Sequence, residues 1–407
     1  MPVPLFWHLL CRTYHFVTYI ASHALRWRTP VLIKGPGSLS TLPKFLSGAN
    51  LHRGLLVTDA LIMKLGLVNG LISELKKNGA QFTIFQDVLP NPTLLMVEAA
   101  NDLYKKNKCD YLIAVGGGSV MDCAKLVGVR QARPRTPLRS MRGVMRVLWS
   151  VPPIIAVPTT AGSGSECTMA AVVTDLENQD KFPVIDPVLT PHYCVLDPKL
   201  TVGLPKFVTA TTGMDTLTHA VEAYLNVFHY PHVDRAATHS VELVAKYLLR
   251  AYEKGDDMEA RENMLQAAYL AGLAFTRAGV GYTHAAAHAV GGLYNVPHGF
   301  ANAILLPHVL DMYGSAVYTP LAYLADAARL PGASDEEKAK NFILWIRELN
   351  VRMQIPATLG ANDSRYRIQA KDIPFLVRHA LREANPCYPV PVIFGEEEMT
   401  ELFNCVK

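Results

Sequence analysis

Short continuous apolar runs recur through the first half of the chain, each four or five residues long and bounded by polar or turn-forming residues. Runs of this length that lack polar alternation are typical of parallel strands covered on both faces. Five segments have this pattern: residues 54–57, 81–85, 111–115, 153–157 and 193–196. They predict the strands of a buried sheet.

The segments between these runs have the apolar spacing of helices. Residues 61–78, 94–107 and 120–129 each place apolar side chains three or four positions apart. Strand, helix and strand in succession predict a parallel sheet with helices on both faces. We therefore expect an α/β domain built on a parallel sheet over residues 29–203.

The pattern changes near residues 197–205, and from residue 206 onward no convincing strand follows. Instead the chain has long helical runs rich in Ala, Leu and Met, at 233–252, 257–275 and 335–349. Asp257 and Ser334 stand where helix N-caps are expected. The sequence predicts an all-helical domain over residues 204–407.

The N-terminal stretch, residues 5–27, is rich in Leu, Phe, Trp, Tyr and Val but is interrupted by His and Arg. It has neither the uninterrupted apolar core of a membrane span nor the small-residue cleavage site of a signal peptide. We interpret residues 1–28 as an amphipathic extension that packs on the body of the protein or on a second subunit. Contact with a membrane surface is a weaker alternative.

Composition narrows the class of protein. The chain has 407 residues, half of them hydrophobic, which is enough for two cores, and a formal net charge of +4 gives no reason to expect a nucleic acid partner. Basic residues concentrate between 130 and 146, which we interpret as a solvated connection, with contact to cofactor phosphates as the alternative. Seven cysteines without Cys-x-x-Cys spacing favour a reducing cytosol over a disulfide framework.

The candidate chemistry begins with Asp215 and His219, four residues apart in a helical run, so both side chains share one face. His284, His288 and His298 follow in a second helical run and the turn after it. One carboxylate and several imidazoles suit a divalent first-row metal. The alternative is a surface pair or a capped core histidine, but an unpaired polar ring among Ala, Val and Gly costs about 1–3 kcal/mol. Coordination would offset that cost.

A glycine-rich turn follows the predicted strand at 111–115. Gly116, Gly117, Gly118 and Ser119 lead directly into a helix, where exposed amides and the helix dipole favour an anion such as a pyrophosphate. Glycines also occur in such turns for geometry alone, and neither Gly-x-Gly-x-x-Gly nor the Walker lysine is present. The turn is a candidate cofactor loop.

Two further stretches follow strands at the same edge of the predicted sheet. Asp59, after the strand at 54–57, is placed to accept hydrogen bonds from an adenosine ribose and to repel the additional phosphate of NADP; capping a turn is its alternative role. Residues 158–166 supply hydroxyls and bare backbone after the strand at 153–157. Ligands of open α/β sheets bind at this carboxyl edge.

Five ordered motifs occur: Asn-Pro-Thr at 91–93, Gly-Gly-Gly-Ser-x-x-Asp-x-Ala-Lys at 116–125, Pro-Thr-Thr-Ala-Gly-Ser-Gly-Ser-Glu at 158–166, Gly-Met-Asp-x-x-x-His-Ala-x-Glu at 213–222, and His-x-x-x-His through Pro-His-Gly at 284–299. With these motifs the chain resembles the iron-containing (group III) alcohol dehydrogenases over nearly its whole length. The resemblance implies a dehydroquinate synthase-like fold, with an α/β dinucleotide-binding domain, an all-α domain and a metal in the cleft between them.

The resemblance also implies roles for individual residues. Asp215, His219, His284 and His298 match the four metal ligands of the family. His288 matches its histidine near the nicotinamide and substrate, and we take it as catalytic; the alternative is a core histidine or one that only supports a metal ligand. The residues that match cofactor contacts are Asp59, Asn91, Gly116, Gly117, Gly118, Ser119, Asp122, Thr159 and Thr160.

These features predict an NAD(P)-dependent oxidoreductase acting on CH–OH groups, with hydride transfer between nicotinamide C4 and a metal-bound alcohol or carbonyl. The resemblance implies Fe²⁺, with Zn²⁺ as the alternative, and NAD in preference to NADP. We expect a cytoplasmic homodimer or larger homo-oligomer that acts on a small alcohol or aldehyde.

Two alternatives share the scaffold. One is a zinc polyol dehydrogenase of the glycerol type. The other is a metal-dependent lyase, which needs Lys and Arg around an anionic substrate, whereas residues 215–224 and 284–298 contain neither.

Overall fold

The computed structural model describes residues 4–25, 27–178 and 180–407. The chain divides into two compact units, Arg26–Gly203 and a second unit made of Met1–Leu25 with Leu204–Lys407. Residues 1–3 and 26 of the predicted N-terminal extension lie outside the described part of the chain.

The unit Arg26–Gly203 is built on a six-stranded sheet in which every strand pair is parallel. The strands of the described residues are β1 (Val31–Lys34), β2 (Arg53–Val57), β3 (Gln81–Phe85), β4 (Tyr111–Gly116), β5 (Gly143–Val144), β6 (Ile154–Pro158), β7 (Ala170–Asp175), β8 (Asp180–Ile185) and β9 (Tyr193–Leu196). The large sheet has the order β1-β9-β6-β4-β2-β3, and β5-β8-β7 form a small second sheet.

Helices cover this sheet within its own unit, and other helices form the second unit. In chain order, the helices are α1 (Leu5–His23), α2 (Leu42–Gly48), α3 (Ala60–Lys64), α4 (Asn69–Lys77), α5 (Leu94–Lys106), α6 (Gly118–Ala132), α7 (Lys206–Leu225), α8 (Pro231–Glu253), α9 (Met258–Ala278), α10 (Tyr282–Tyr294), α11 (His298–Tyr313), α12 (Tyr318–Ala327), α13 (Asp335–Arg352), α14 (Ile373–Ala384) and α15 (Glu396–Cys405).

The parallel sheet is covered on both faces, as the apolar runs predict. Leu55 and Val57 of β2 belong to a core shared with α5 and α6, whereas Leu56 belongs to a second core with α2 and α4. Side chains that alternate between two buried faces leave no polar positions in the strand, which explains the continuous apolar runs. All five predicted strands are present, and their ends differ from the prediction by at most one residue.

Other parts of this unit differ from the prediction. The single helix expected at 61–78 is wrong: α3 and α4 are separated by a turn in which Gly66 has φ +70°. β1 was not predicted because its apolar run has only three residues, between Pro30 and Lys34. The basic stretch contacts its own unit, since Arg139 pairs with Asp175 and Arg142 with Asp180 on the β7–β8 hairpin.

The second unit is helical, and no strand occurs among its described residues, as predicted. The side chains of Asp257 and Ser334 cap α9 and α13 by accepting hydrogen bonds from Ala260 N and Glu337 N. α7 is its central helix and is buried along most of its length. Among the described residues, none of the helices is both long and apolar enough to cross a membrane.

Candidate metal centre and cofactor loop

Two helix starts bring distant histidines to the middle of α7. Asp215 and His219 lie one turn apart on α7 and are both buried, while His284 is in the first turn of α10. His298 is the first residue of α11, which begins after a short turn at Asn295, where φ is +55°. Because of this turn, His298 at the start of α11 lies beside His284 in the first turn of α10.

Gly299 explains why α11 approaches α7 so closely. A Cβ at this position would lie 2.3 Å from the carbonyl oxygen of Thr211, a distance no side chain tolerates. A glycine after His298 thus allows the start of α11 to press against α7, beside Asp215. This is the physical reason for glycine in the Pro-His-Gly turn.

One ligand atom from each of Asp215, His219, His284 and His298 lies within 4.8 Å of the other three. Asp215 Oδ1 is 4.0 Å from His219 Nδ1, 3.9 Å from His284 Nε2 and 3.5 Å from His298 Nε2. Four tetrahedral donors at ~2.1 Å from an ion are separated by about 3.4 Å. The spacing observed is close to that of a metal site.

The charge states and hydrogen bonds of this cluster also fit a metal. Burial lowers the pKa of His219 to about 4, so its ring is neutral at pH 7, which is the form that coordinates. Burial alone would raise the pKa of Asp215, but the neighbouring imidazoles and the Asn302 amide outweigh it and keep the carboxylate ionised. His219 Nδ1 is buried without a hydrogen-bond partner, as expected of a donor meant for a cation.

His284 is held in place by Glu222, three residues after His219 on α7. The Glu222 carboxylate accepts hydrogen bonds from His284 Nδ1 (2.6 Å), Gly281 N (2.7 Å) and Thr283 N (2.8 Å). A hydrogen bond from Nδ1 fixes the ring orientation and leaves Nε2 as the ligand atom. Sequence reasoning gave Glu222 no role, although its place in the 213–222 motif was visible.

Asn302 lies at the centre of the cluster, one turn after His298 on α11. Its Nδ2 donates to Asp215 Oδ1 at 2.7 Å and is 3.2 Å from both His284 Nε2 and His298 Nε2. The residue is fully buried. A polar amide one turn from a predicted ligand, in an otherwise apolar run, was a signal that the sequence offered and that the prediction missed.

His288 lies beside the four donors, with its ring stacked on His298 at 5.0 Å between centroids. His288 Nδ1 is 2.6 Å from Glu383 Oε1, and the same oxygen accepts a 2.5 Å hydrogen bond from Tyr388 OH. Glu383 is 95 residues away in sequence, so no local pattern pointed to it. The structure thus gives His288 a carboxylate partner, and its catalytic role stays a prediction.

The residues predicted to bind the cofactor lie in the other unit, at the carboxyl edge of the sheet. Asp59 follows β2 and the glycine turn follows the adjacent strand β4. The chain continues from β2 to one side of the sheet and from β4 to the other, so the gap between them is a topological switch point. Ligands of open α/β sheets bind at such points.

Several of these residues contact one another around the start of α6. Ser119 Oγ accepts a hydrogen bond from Asn91 N at 3.2 Å, and Asn91 Oδ1 accepts one from Lys181 Nζ at 2.7 Å. A Cβ on Gly117 would lie 3.7 Å from Thr160 Oγ1. Lys181, which the prediction missed, adds a positive charge near amides that already favour an anion.

Three other predicted cofactor residues have structural contacts. Asp59 caps α3, since its carboxylate accepts from Ile62 N at 2.9 Å, and Thr159 N donates to the carbonyl of Gly116. Asp122 accepts hydrogen bonds from Ser165 Oγ at 3.0 Å and Val172 N at 3.1 Å. Contact with a cofactor stays a prediction for all three.

Two family profiles together cover nearly the whole chain. The profile of iron-containing alcohol dehydrogenases matches residues 29–198, and that of the C-terminal part of the Fe-containing alcohol dehydrogenase family matches residues 209–406.

Individual proteins match over similar lengths. The 1,3-propanediol dehydrogenase of Klebsiella pneumoniae is 36% identical over 374 residues, which are 91% of this chain and 95% of that protein. A crystal structure of 1,3-propanediol oxidoreductase superposes with a TM-score of 0.88 at 34% identity, covering 93% of this chain and 98% of that one. Sulfoacetaldehyde reductase from Bifidobacterium kashiwanohense, solved in complex with NAD⁺, gives a TM-score of 0.83 at 29% identity, covering 94% and 98%.

Proposed function

The chain belongs to the iron-containing alcohol dehydrogenase family, and we propose that it interconverts a small alcohol and its aldehyde or ketone with NAD(H), using a metal held by Asp215, His219, His284 and His298. It is an oxidoreductase acting on CH–OH groups, in line with its relatives. The single observation that carries the site assignment is the convergence of these four donors from three helices.

Asp215, His219, His284 and His298 would hold a divalent metal, which would supply a Lewis acid for the substrate oxygen. One carboxylate among the ligands would leave the site a net charge of +1. The nitrogen-rich donor set itself favours Zn²⁺ over Fe²⁺ in the general order of affinity. Membership of an iron-containing family supports iron, so we propose Fe²⁺, with Zn²⁺ as the alternative.

The protein's own residues orient these donors. Glu222 holds the His284 ring by its Nδ1, and Asn302 holds one oxygen of Asp215. The three other donors are buried, whereas the His298 side chain is 41% exposed, so a substrate reaches the cluster from the His298 side. Catalytic metal sites keep such an open side.

His288 is the proposed proton-exchanging group. The Glu383 carboxylate fixes His288 Nδ1, which leaves Nε2 to receive the alcohol proton or return it. Tyr388 donates to the same carboxylate and restrains it. The stacking of His288 on His298 places this ring beside the donor that is open to solvent.

NAD(H) supplies the hydride acceptor or donor. The helix start at Gly118, the hydroxyl of Ser119 and the ammonium of Lys181 favour its pyrophosphate. Asp59 favours NAD over NADP, because a carboxylate repels the additional phosphate. The NAD⁺ complex of the sulfoacetaldehyde reductase supports the same cofactor here.

We further propose a cytoplasmic homodimer or larger homo-oligomer. The seven cysteines, all among the described residues, form no disulfide with one another, which supports a reducing compartment. The edge strand β1 exposes the apolar side chains of Val31 and Leu32, and an uncovered edge of this kind favours pairing with a second chain.

The proposal is tested with full-length protein prepared without oxygen and loaded with Fe²⁺ or Zn²⁺ in parallel. NADH oxidation is followed against short, long and polar aldehydes, and NADH binding is measured separately by fluorescence. We expect turnover with one of the two metals and none after the metal is removed. Absence of turnover across the panel, with metal and NADH both bound, would contradict the proposed activity.

The site assignment is tested by His298→Ala, with His239→Ala as its control because His239 is a surface histidine. We expect the first change to reduce turnover roughly 100-fold or more while NADH affinity stays within a few-fold. The control should behave like the unchanged protein. Equal loss of turnover and NADH binding would show misfolding instead of loss of a ligand.

A further inference from the structure

The N-terminal helix α1 has its polarity reversed relative to an ordinary surface helix. The polar side chains of Arg12, His15 and Tyr19 face the protein, and most of its large apolar side chains face solvent. A surface helix normally buries its apolar stripe and exposes its charges. The reversal means that the outer face of α1 is made for an apolar environment.

The inner side of α1 is fixed by polar and aromatic contacts with the helical unit. Arg12 donates to the carbonyls of Val390 (2.7 Å) and Pro391 (2.6 Å), and Tyr19 OH donates to the carbonyl of His229 (3.2 Å). The helix is therefore held on the protein in a defined orientation, and its outer face is presented to solvent as one surface.

The outer face extends along the helix and is interrupted by the exposed Thr13 near its middle. It is formed by apolar side chains at three- and four-residue spacing, which lie on one side of a helix. Its large members are Leu5 (84% exposed), Phe6 (76%), Leu9 (64%), Leu10 (40%), Phe16 (64%), Val17 (58%) and Ile20 (55%). Contiguous apolar surface of this size marks an interaction site.

In the first turns of α1, exposed apolar side chains lie on all sides of the helix. Every residue from Leu5 to Leu10 is exposed, and His8 is the one polar member of the segment. A helix that is apolar on all sides fits a medium that is apolar on all sides, which describes the acyl region of a bilayer. Trp7 and Tyr14 lie on the same helix, and their rings suit the interface between headgroups and acyl chains.

Charge selects between lipid and a second copy of the chain. Residues 5–28 contain three arginines and no Asp or Glu, and the first acidic residue of the whole sequence is Asp59. Arg12 bonds to uncharged carbonyl oxygens, which leave its charge uncompensated. Two such segments repel each other, whereas anionic headgroups attract them.

We propose that the outer face of α1 binds the surface of an anionic membrane, with the helix lying in the interface. Its apolar side chains enter the boundary between headgroups and acyl chains, and the net positive charge of residues 5–28 attracts anionic headgroups. None of the described helices is long and apolar enough to cross the bilayer. The enzyme is then a peripheral membrane protein.

The test uses full-length, metal-loaded protein and flotation with two kinds of vesicle, phosphatidylcholine alone and phosphatidylcholine with phosphatidylglycerol. The outer-face variant combines Phe6→Ser, Leu9→Ser and Phe16→Ser. We expect the unchanged protein to float with the anionic vesicles and less with the neutral ones. The fraction of the variant that floats with the anionic vesicles should be lower than that of the unchanged protein by a factor of about ten or more.

The matched control combines Tyr323→Ser, Leu344→Ser and Val351→Ser, which replace side chains that are 60%, 51% and 76% exposed on other helices. It should float like the unchanged protein, and NADH-dependent turnover should show that both variants are folded. Equal loss in the control, or no flotation of the unchanged protein with either vesicle, overturns the proposal. The proposal is also overturned if the unchanged protein is an oligomer that binds no vesicles and the outer-face variant is a monomer. The outer face is then a contact between copies of the chain.

Discussion

Replacing Glu222 with Gln should weaken the proposed metal centre without changing a proposed metal ligand. The carboxylate accepts three hydrogen bonds from buried donors: Oε2 from Gly281 N and His284 Nδ1, and Oε1 from Thr283 N. A glutamine has one oxygen and one NH₂ group, so it cannot serve all three donors in either orientation.

Each orientation of the amide has a definite cost. If NH₂ replaces Oε1, it faces the N–H of Thr283, and leaving that buried donor unpaired costs about 1–3 kcal/mol. If NH₂ replaces Oε2, the N–H of Gly281 is unpaired and His284 Nδ1 must accept, which puts the ring proton on Nε2, the ligand atom. Loss of such a partner typically lowers metal affinity about 10–100-fold.

Two measurements follow this change, metal affinity by competition with a chelator and denaturant unfolding of metal-free protein. We expect weaker metal binding and a free energy of unfolding lower by about 1–3 kcal/mol. The control is Glu242→Gln, because Glu242 forms the same kind of pair with His239 Nδ1 (3.1 Å) but on the surface. If the Glu222 variant binds metal within twofold of the unchanged protein and unfolds at the same denaturant concentration, the reasoning about its hydrogen bonds is refuted.

Three other changes give separate tests. Asp59→Ser keeps a cap for Ile62 N but removes the negative charge. The ratio of activity with NADH to activity with NADPH should therefore fall by about tenfold, while the free energy of unfolding changes by less than about 0.5 kcal/mol. An unchanged ratio of the two activities would show that Asp59 only caps the helix. Burial raises the pKa of Glu166 to about 7, above its unfolded value, so this group stabilises the fold fully below about pH 4.5 and loses that contribution as the pH rises to 7. Glu166→Gln should remove a fall of roughly 3 kcal/mol in unfolding free energy over this range, and parallel pH curves for the two proteins would disprove the assignment. Glu383→Gln should lower kcat about tenfold or more with little change in KM for the aldehyde, because His288 loses its carboxylate partner; an equal change in KM and kcat for NADH and aldehyde would point to a structural role.

The central strands could be predicted because each is buried on both faces and therefore has an unbroken apolar run. β1 could not, because its apolar run has only three residues, between Pro30 and Lys34, which is shorter than the runs of the other strands. The break between α3 and α4 was missed because a glycine inside an apolar helical pattern does not by itself reveal the positive φ of Gly66.

The same division holds at the candidate site. Asp215 and His219, or His284 and His288, could be recognised from a four-residue spacing, which is a local property of a helix. Glu383 reaches His288 from 95 residues away, so only the tertiary packing of α14 against α10 reveals the pair. Glu222 and Asn302 are intermediate cases. Each lies one turn from a predicted ligand, a spacing that is visible in the sequence, but the sequence does not show which groups their side chains bind.

The arrangement of the four donors has a consequence for folding as well as for catalysis. His219 and His284 are separated by 65 positions in the chain, so an ion bound to both closes a long loop in the way that a disulfide does. The described cysteines form no disulfide, so this cross-link would be one that depends on the supply of metal. Resistance of α10 and α11 to proteolysis and amide hydrogen exchange should therefore rise with metal concentration. The lifetime of the enzyme in a cell would then increase with the amount of metal that the cell contains.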